Sequence, residues 1–373
     1  MRYTNESVES IWSERCVFVA RIKTELKWLT ALSDVRMADD RVPSLNDLCV
    51  ESLLETSREL EKKHGHDIAS MVIALERELR RVGYKSYNMV HFGLTSSDVV
   101  DTTLSTLYRD SFDFISHRLR KLISSSIEDN IIVPARTHGA DTGIRISLWT
   151  RFGRIMDELV EEKKAIDSLK FYGKMSGPVG LADGFNDHKT CEVAALSRLG
   201  LEAHPGSTQV IPRQVYAEYH FRMAVVGKVL SRLANCIRLS LIAGEISFKK
   251  NDSEIGSSSM PHKVNPWRLE RVIGMSRMLD SHVMVALDNI DLWLERDISH
   301  SCSERSNPRD GFNLLARMIT DLKDELVRIC GVESKLEGFE GSRSSYHDLN
   351  RMILHSGKSR EECHSIIEGT SYP

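Results

Sequence analysis

Proline is scarce in this sequence, with nine residues in 373, so long stretches run without a helix breaker. Cysteine is present but unorganised. Cys16, Cys49, Cys191, Cys236, Cys302, Cys330 and Cys363 are odd in number and never spaced C-x-x-C. That scatter points to reduced core or surface thiols and so to a cytoplasmic compartment. No run approaches the ~18 apolar residues of a membrane span. Met1 leads straight into Arg2 and Tyr3, with no basic-then-apolar targeting segment. Excess charge is also missing. A formal balance of −3 argues against a nucleic-acid-binding or membrane-surface role. Repeats, low-complexity tracts and β-type alternation are absent or nearly so.

What is present is apolar residues at helical spacing. Hydrophobic residues make up 41% of the chain and charged ones 28%, enough for a large core. Leu104, Tyr108, Phe112, Ile115, Leu119 and Leu122 recur in steps of three and four. They predict one helix from Ser97 to about Asp129. Leu148, Phe152, Ile155, Leu159 and Ile166 predict a second, from about Ile144 to Phe171. Val226, Leu230, Leu233, Ile237 and Leu241 predict a third, from about Arg213 to Phe248. Further helices are expected after Pro266 and after Pro308. Typical helices run ~10–14 residues, and ones twice as long need neighbours along their whole length. The expected fold is therefore all-α. A small N-terminal helical domain (1–94) leads into a central long-helix bundle (95–340) and a short C-terminal segment (341–373).

Four segments between the long helices carry the unusual residues: HFGLTSSDVVDT (91–102), ARTHGADTG (135–143), GSSSMPHKVNP (256–266) and WLERDISHSCSER (293–305). In 256–266 a glycine, three serines and two prolines bracket Met260, His262, Lys263 and Asn265. The glycine and serines suit a mobile lid. Lys263 supplies a fixed positive charge, Asn265 a two-way amide, and Pro266 a helix start at N1. Thr95 and Ser96 precede a helix N-terminus expected to be capped by Ser97 or Asp98, whose free N–H groups would attract a carboxylate. His64 and His66 stand two apart with no further ligand cluster, so no metal site is expected there.

All eleven positions of GSSSMPHKVNP fit the loop pattern G-S-S-x-M-P-x-K-x-N-P of the fumarase/aspartase superfamily, which the sequence resembles. His262 within MPHK is similar to adenylosuccinate lyases and carboxymuconate cycloisomerases. The other three segments resemble the adenylosuccinate lyase family in particular, as do Arg2-Tyr3, Ile11-Trp12 and His66-Asp67. The resemblance implies a β-elimination that releases fumarate from a succinylated purine nucleotide. It needs a base, an acid and positive groups around the developing charge.

By that resemblance Ser257 is the base, His138 the acid and Glu270 the residue that orients the histidine. Lys263 and Asn265 would hold the succinyl carboxylates, with Thr95 and Ser96. Arg2, Tyr3, Arg296, Ser301 and Arg305 would grip the nucleotide, and Gln209, His66, Asp67 and His91 complete the substrate set. No metal or organic cofactor is implied, and a homotetramer with active sites shared between chains is. Two other readings stand beside this one: a related lyase for another succinyl or carboxy substrate, and a non-catalytic paralogue.

The sequence departs from the family at several places. The segment after His138 is short, with ADTG following THG at once. Gly65 stands where a basic residue is usual, and Leu294 and Gln214 replace a usual His and Asp. Pro373 follows soon after a segment resembling the family's T-R-E-E region, where related enzymes continue with more helices.

Overall fold

The computed structural model describes residues 3–39, 41–125, 131–249, 264–332 and 345–369. In chain order these form α1 (Glu6–Trp12), α2 (Glu14–Asp34), α3 (Val50–His64), α4 (Asp67–Arg81), α5 (Ser96–Ile123), β1 (Ile132–Thr137) and β2 (Ala140–Ser147). Next come α6 (Leu148–Asp167), β3 (Tyr172–Gly173), α7 (His188–Arg198), β4 (Glu202–Ala203), α8 (Gln214–Ile242) and β5 (Ile246–Phe248). The remainder is α9 (Trp267–Asp288), α10 (Ser299–Glu304), α11 (Asn307–Leu326), β6 (Ile329–Gly331), α12 (Ser345–Ser356) and α13 (Arg360–Gly369). Helices dominate, as the all-α reading requires. None among the described residues is long and apolar enough to cross a membrane.

Two compact units share the chain. One is Met1–Lys121, Glu161–Lys228 and Gly274–Thr320; the other is Leu122–Val160, Val229–Ile273 and Asp321–Pro373. In the first, α2, α3, α4 and α7 enclose an apolar core around Trp28, Leu29, Leu32, Met71, Leu75 and Leu196. Each such side chain contributes ~1.5–3 kcal/mol by leaving water. A second, aromatic centre lies along α5. There Tyr108 and Phe112 meet Trp12, Tyr219 and Phe312 at ring separations of 5.0 to 5.9 Å. The stripe read from the sequence, Leu104 to Leu122, is buried throughout.

Among the described residues, three small two-stranded sheets accompany the helices. They pair β1 with β2, β3 with β4 and β5 with β6. The β1–β2 hairpin occupies the segment expected to be a loop and the start of the second helix. α6 consequently begins at Leu148 rather than Ile144. Likewise α8 ends at Ile242, and the chain then enters β5. The helix after Pro266 starts at Trp267, so the proline stands just outside it rather than at N1. α5 begins at Ser96, so its cap is Thr95 and not Ser97 or Asp98. Asp98, inside the first turn, accepts the Thr95 N–H at 2.6 Å, half of a capping box.

In the second unit Arg151 fastens the hairpin. It donates to Glu245 (2.5 Å), to Ser240 (2.7 Å) and to the Pro134 carbonyl. Arg136 reaches the same Glu245 at 3.0 Å. Arg271 grips Asp321 with two hydrogen bonds, 2.6 and 2.7 Å, and Arg268 reaches Glu325 at 2.9 Å.

Candidate active site

The first unit gathers several of the expected substrate residues. Gly65 ends α3 in the left-handed region (φ 68°), which turns the chain directly into α4. His66 caps α4, its Nδ1 accepting the Ala69 N–H at 3.3 Å. Its Nε2 lies 3.5 Å from the Ser96 hydroxyl, so the starts of α4 and α5 meet across His66 and Ser96. The next residue, Asp67, accepts from Arg21 at 3.2 Å and from Arg305 at 3.4 Å through the same oxygen. Burial opposes ionisation of Asp67. Arg21, the Ile68 N–H, Arg305 and His66 outweigh it and hold the carboxyl below its usual value. Two helix N-termini and two guanidinium groups around one carboxylate make an anion-favouring corner.

A second group lies on the segment before α8. Gln209 accepts from Arg296 at 3.1 Å and donates to the Pro178 carbonyl at 3.1 Å. Thr208 donates to the Glu295 carbonyl at 2.6 Å. Ser301 and Arg305 stand four residues apart on and just after α10, on one face. Tyr3 is exposed at the first described position.

His91 stands in a left-handed turn (φ 60°) ahead of Thr95. Glu25 of α2 receives both its backbone N–H (3.0 Å) and its ring Nδ1 (2.6 Å). Burial pulls the imidazole down, but the charge and hydrogen bond of Glu25, with Asp98 adding, hold it above the usual value.

The second unit carries His138, Glu270 and Asn265. His138 and Gly139 are the two central residues of the turn between β1 and β2, with φ 51° and 84°. Positive φ at both positions is the type I′ geometry that suits a two-residue hairpin, and only glycine adopts it without strain. His138 is therefore exposed at a hairpin tip. Glu270 pairs with Arg238 at 3.2 Å within the chain, not with His138. Asn265 is exposed just ahead of α9. Arg2, Ser257 and Lys263 lie outside the described residues. Among the described residues no three His, Cys, Asp or Glu side chains gather as a metal site requires.

Sequence reasoning missed the charges beneath these groups. Arg21 and Glu25 lie one turn apart on α2, next to the core residues Ile22, Leu26 and Leu29. Charged residues set among core positions were the available signal. Lys174 and Asp98, both fully buried, form an ion pair below the Thr95 turn, and Lys174 also donates to the Gly177 carbonyl at 2.7 Å. Asp101 holds the buried Arg213 with two bonds of 2.9 Å, and Glu304 lies 3.1 Å from the same guanidinium.

Comparison with known proteins identifies a lyase family. A family model described as Lyase matches residues 38–279. An adenylosuccinate lyase of Pyrococcus abyssi is 31% identical over 397 aligned positions, covering 98% of this chain and 84% of the relative. One of Synechocystis is 30% identical, covering 100% of this chain and 88% of the relative. A fumarate lyase structure from Mesorhizobium superposes with a TM-score of 0.79 at 17% identity, over 98% of this chain and 85% of that one. A carboxy-cis,cis-muconate cycloisomerase from Acinetobacter does so at 0.78 and 15%, over 98% and 86%. At those identities the structural likeness speaks for the fold alone. The chain belongs to the fumarase/aspartase superfamily of lyases and, within it, to the adenylosuccinate lyases.

Proposed function

We propose that the chain eliminates fumarate from adenylosuccinate to give AMP, and from the succinyl-carboxamide ribotide of purine biosynthesis to give the free carboxamide. The observation that carries this reading is relatives at about 30% identity across nearly the whole chain, all of them adenylosuccinate lyases. The corner formed by Arg21, Asp67, Arg305, His66 and Ser96 supports it, because its chemistry favours a phosphate or carboxylate.

In this reading Ser257 removes the proton beside the succinyl carboxylate. The neighbouring N–H groups and Lys263 stabilise its alkoxide. His138 protonates the departing nitrogen; an imidazole suits proton delivery near neutral pH. Asn265 and Lys263 hold one carboxylate, while Thr95 and Ser96 at the start of α5 hold the other. Arg2, Tyr3, Arg296, Ser301 and Arg305 hold the nucleotide, with Gln209, His66, Asp67 and His91. Glu270, bound to Arg238 within its own chain, would orient a histidine of another copy. That requirement fits a homotetramer whose sites are shared between chains. A cytoplasmic location and the division into 1–94, 95–340 and 341–373 belong to the same reading.

The test is fumarate release by purified protein given adenylosuccinate. We expect turnover, and a Ser257→Ala variant that assembles normally yet loses activity by about 10²–10⁴-fold, the usual contribution of a positioned base. No release by the unaltered protein rejects the reading; full activity in the variant rejects Ser257 as the base.

A further inference from the structure

His91 and Glu25 are arranged as a pair with a purpose beyond packing. Glu25 is completely buried. A buried carboxylate is costly unless paired, and its hydrogen-bond partners among the described residues are the two nitrogens of His91. One carboxylate thus fixes both the backbone and the ring of a single residue. Three residues along α2, the Trp28 indole donates to the Phe92 carbonyl at 2.8 Å. Successive turns of one helix therefore hold the 91–92 turn, with His91 in the left-handed region that residues bearing a Cβ adopt uncommonly. With Nδ1 turned inward to Glu25, the opposite ring nitrogen faces away. His91 Nε2 has no hydrogen-bond partner among the described residues and is not sealed from solvent.

We propose that Glu25 is a positioning residue for substrate binding: it orients His91 so that its outer Nε2–H donates to an anionic oxygen of the nucleotide substrate. This rests on the reading of His91 as a substrate contact given above. The inner carboxylate does for this imidazole what a buried acid does behind any histidine that must present one chosen nitrogen. It fixes the tautomer and favours the protonated ring. The charged groups around the pair agree in sign. Asp98 on α5 adds to the attraction for the proton on His91. Glu76 on α4 faces Glu25, and burial together with that charge pushes its own carboxyl up. The imidazolium of His91 is thus the favoured neutraliser of Glu25.

The test compares the full-length protein with Glu25→Gln and Glu25→Asp. Histidine C2–H exchange followed by mass spectrometry reads the titration of His91, and steady-state kinetics read KM and kcat across pH. In the unaltered protein His91 should titrate above the ordinary imidazole range. Glu25→Gln should lower that midpoint, because it removes the charge that favours the protonated ring. It should also raise KM for adenylosuccinate about tenfold at mildly alkaline pH, with kcat changed less, as expected for loss of a charge-assisted bond. The defect should shrink at mildly acidic pH, where His91 regains its proton, and Glu25→Asp should restore part of the binding. An unmoved midpoint or an unchanged KM profile in Glu25→Gln overturns the proposal. Should that variant not fold, a His91 midpoint at or below the ordinary range in the unaltered protein overturns it equally. Absence of any fumarate release would instead defeat the functional reading, whatever the midpoint of His91.

Discussion

Buried ionisable side chains set the pH behaviour of single residues here. His220 accepts from the Tyr108 hydroxyl at 2.8 Å and stacks on the His282 ring. Burial, with a smaller push from His282, lowers it from 6.5 to about 3. The folded protein thus refuses a proton that the unfolded chain accepts. Stability contributed by neutral His220 is complete above the unfolded value and is lost as pH falls from 6.5 toward 3. We expect His220→Gln to flatten the acid limb of a plot of Tm against pH while lowering Tm near neutrality. The Lys174–Asp98 pair makes a different demand. Lys174→Met leaves a carboxylate alone in the interior and should cost about 3–5 kcal/mol, read as a lower denaturant midpoint. Such residues were illegible in the sequence because charged side chains are read as exposed by default. Lys174 and Arg213 carry no local mark that they are buried.

At the scale of elements, legibility followed periodicity. α5 was evident because its apolar residues recur with the helical repeat and all face the core. The β1–β2 hairpin was not, since its strands bury little. Val133 is the sole strongly buried residue of β1, and β2 has none, so no alternating stripe exists to be seen. The dipeptide His138-Gly139 was the remaining cue, a two-residue turn with positive φ at both positions. We expect Gly139→Ala to destabilise the hairpin by about 1–2 kcal/mol, because a Cβ disfavours that conformation although no atom lies within 4 Å of it. Protection of the Thr137 and Ala140 amides from hydrogen exchange would report the loss. The same argument explains a departure from the family. At Gly65 a left-handed φ of 68° closes α3, so Gly65→Lys should lower stability by about 1 kcal/mol despite open space around it.

For the whole molecule, the helical class and the family were readable from length, patterning and four loops. Which loop residues meet was not, since that depends on contacts far apart in sequence. Arg305 reaches Asp67 across 238 positions. Assembly is a matter of exposed surface. Leu239 and Ile242, 64% and 80% exposed, close α8 with apolar side chains that a lone chain leaves in water. Light scattering of the purified protein should give about four times 42.3 kDa if the shared-site reading is right. Leu239→Glu together with Ile242→Glu should drive that mass down.

The sealed salt link between Lys174 and Asp98 also constrains descent. Neither partner can be exchanged alone without stranding the other, so a lineage can leave this arrangement only by near-simultaneous replacement of both. Across diverged copies of the gene the two sites should therefore drift in step or not at all, even where the surface around them turns over freely.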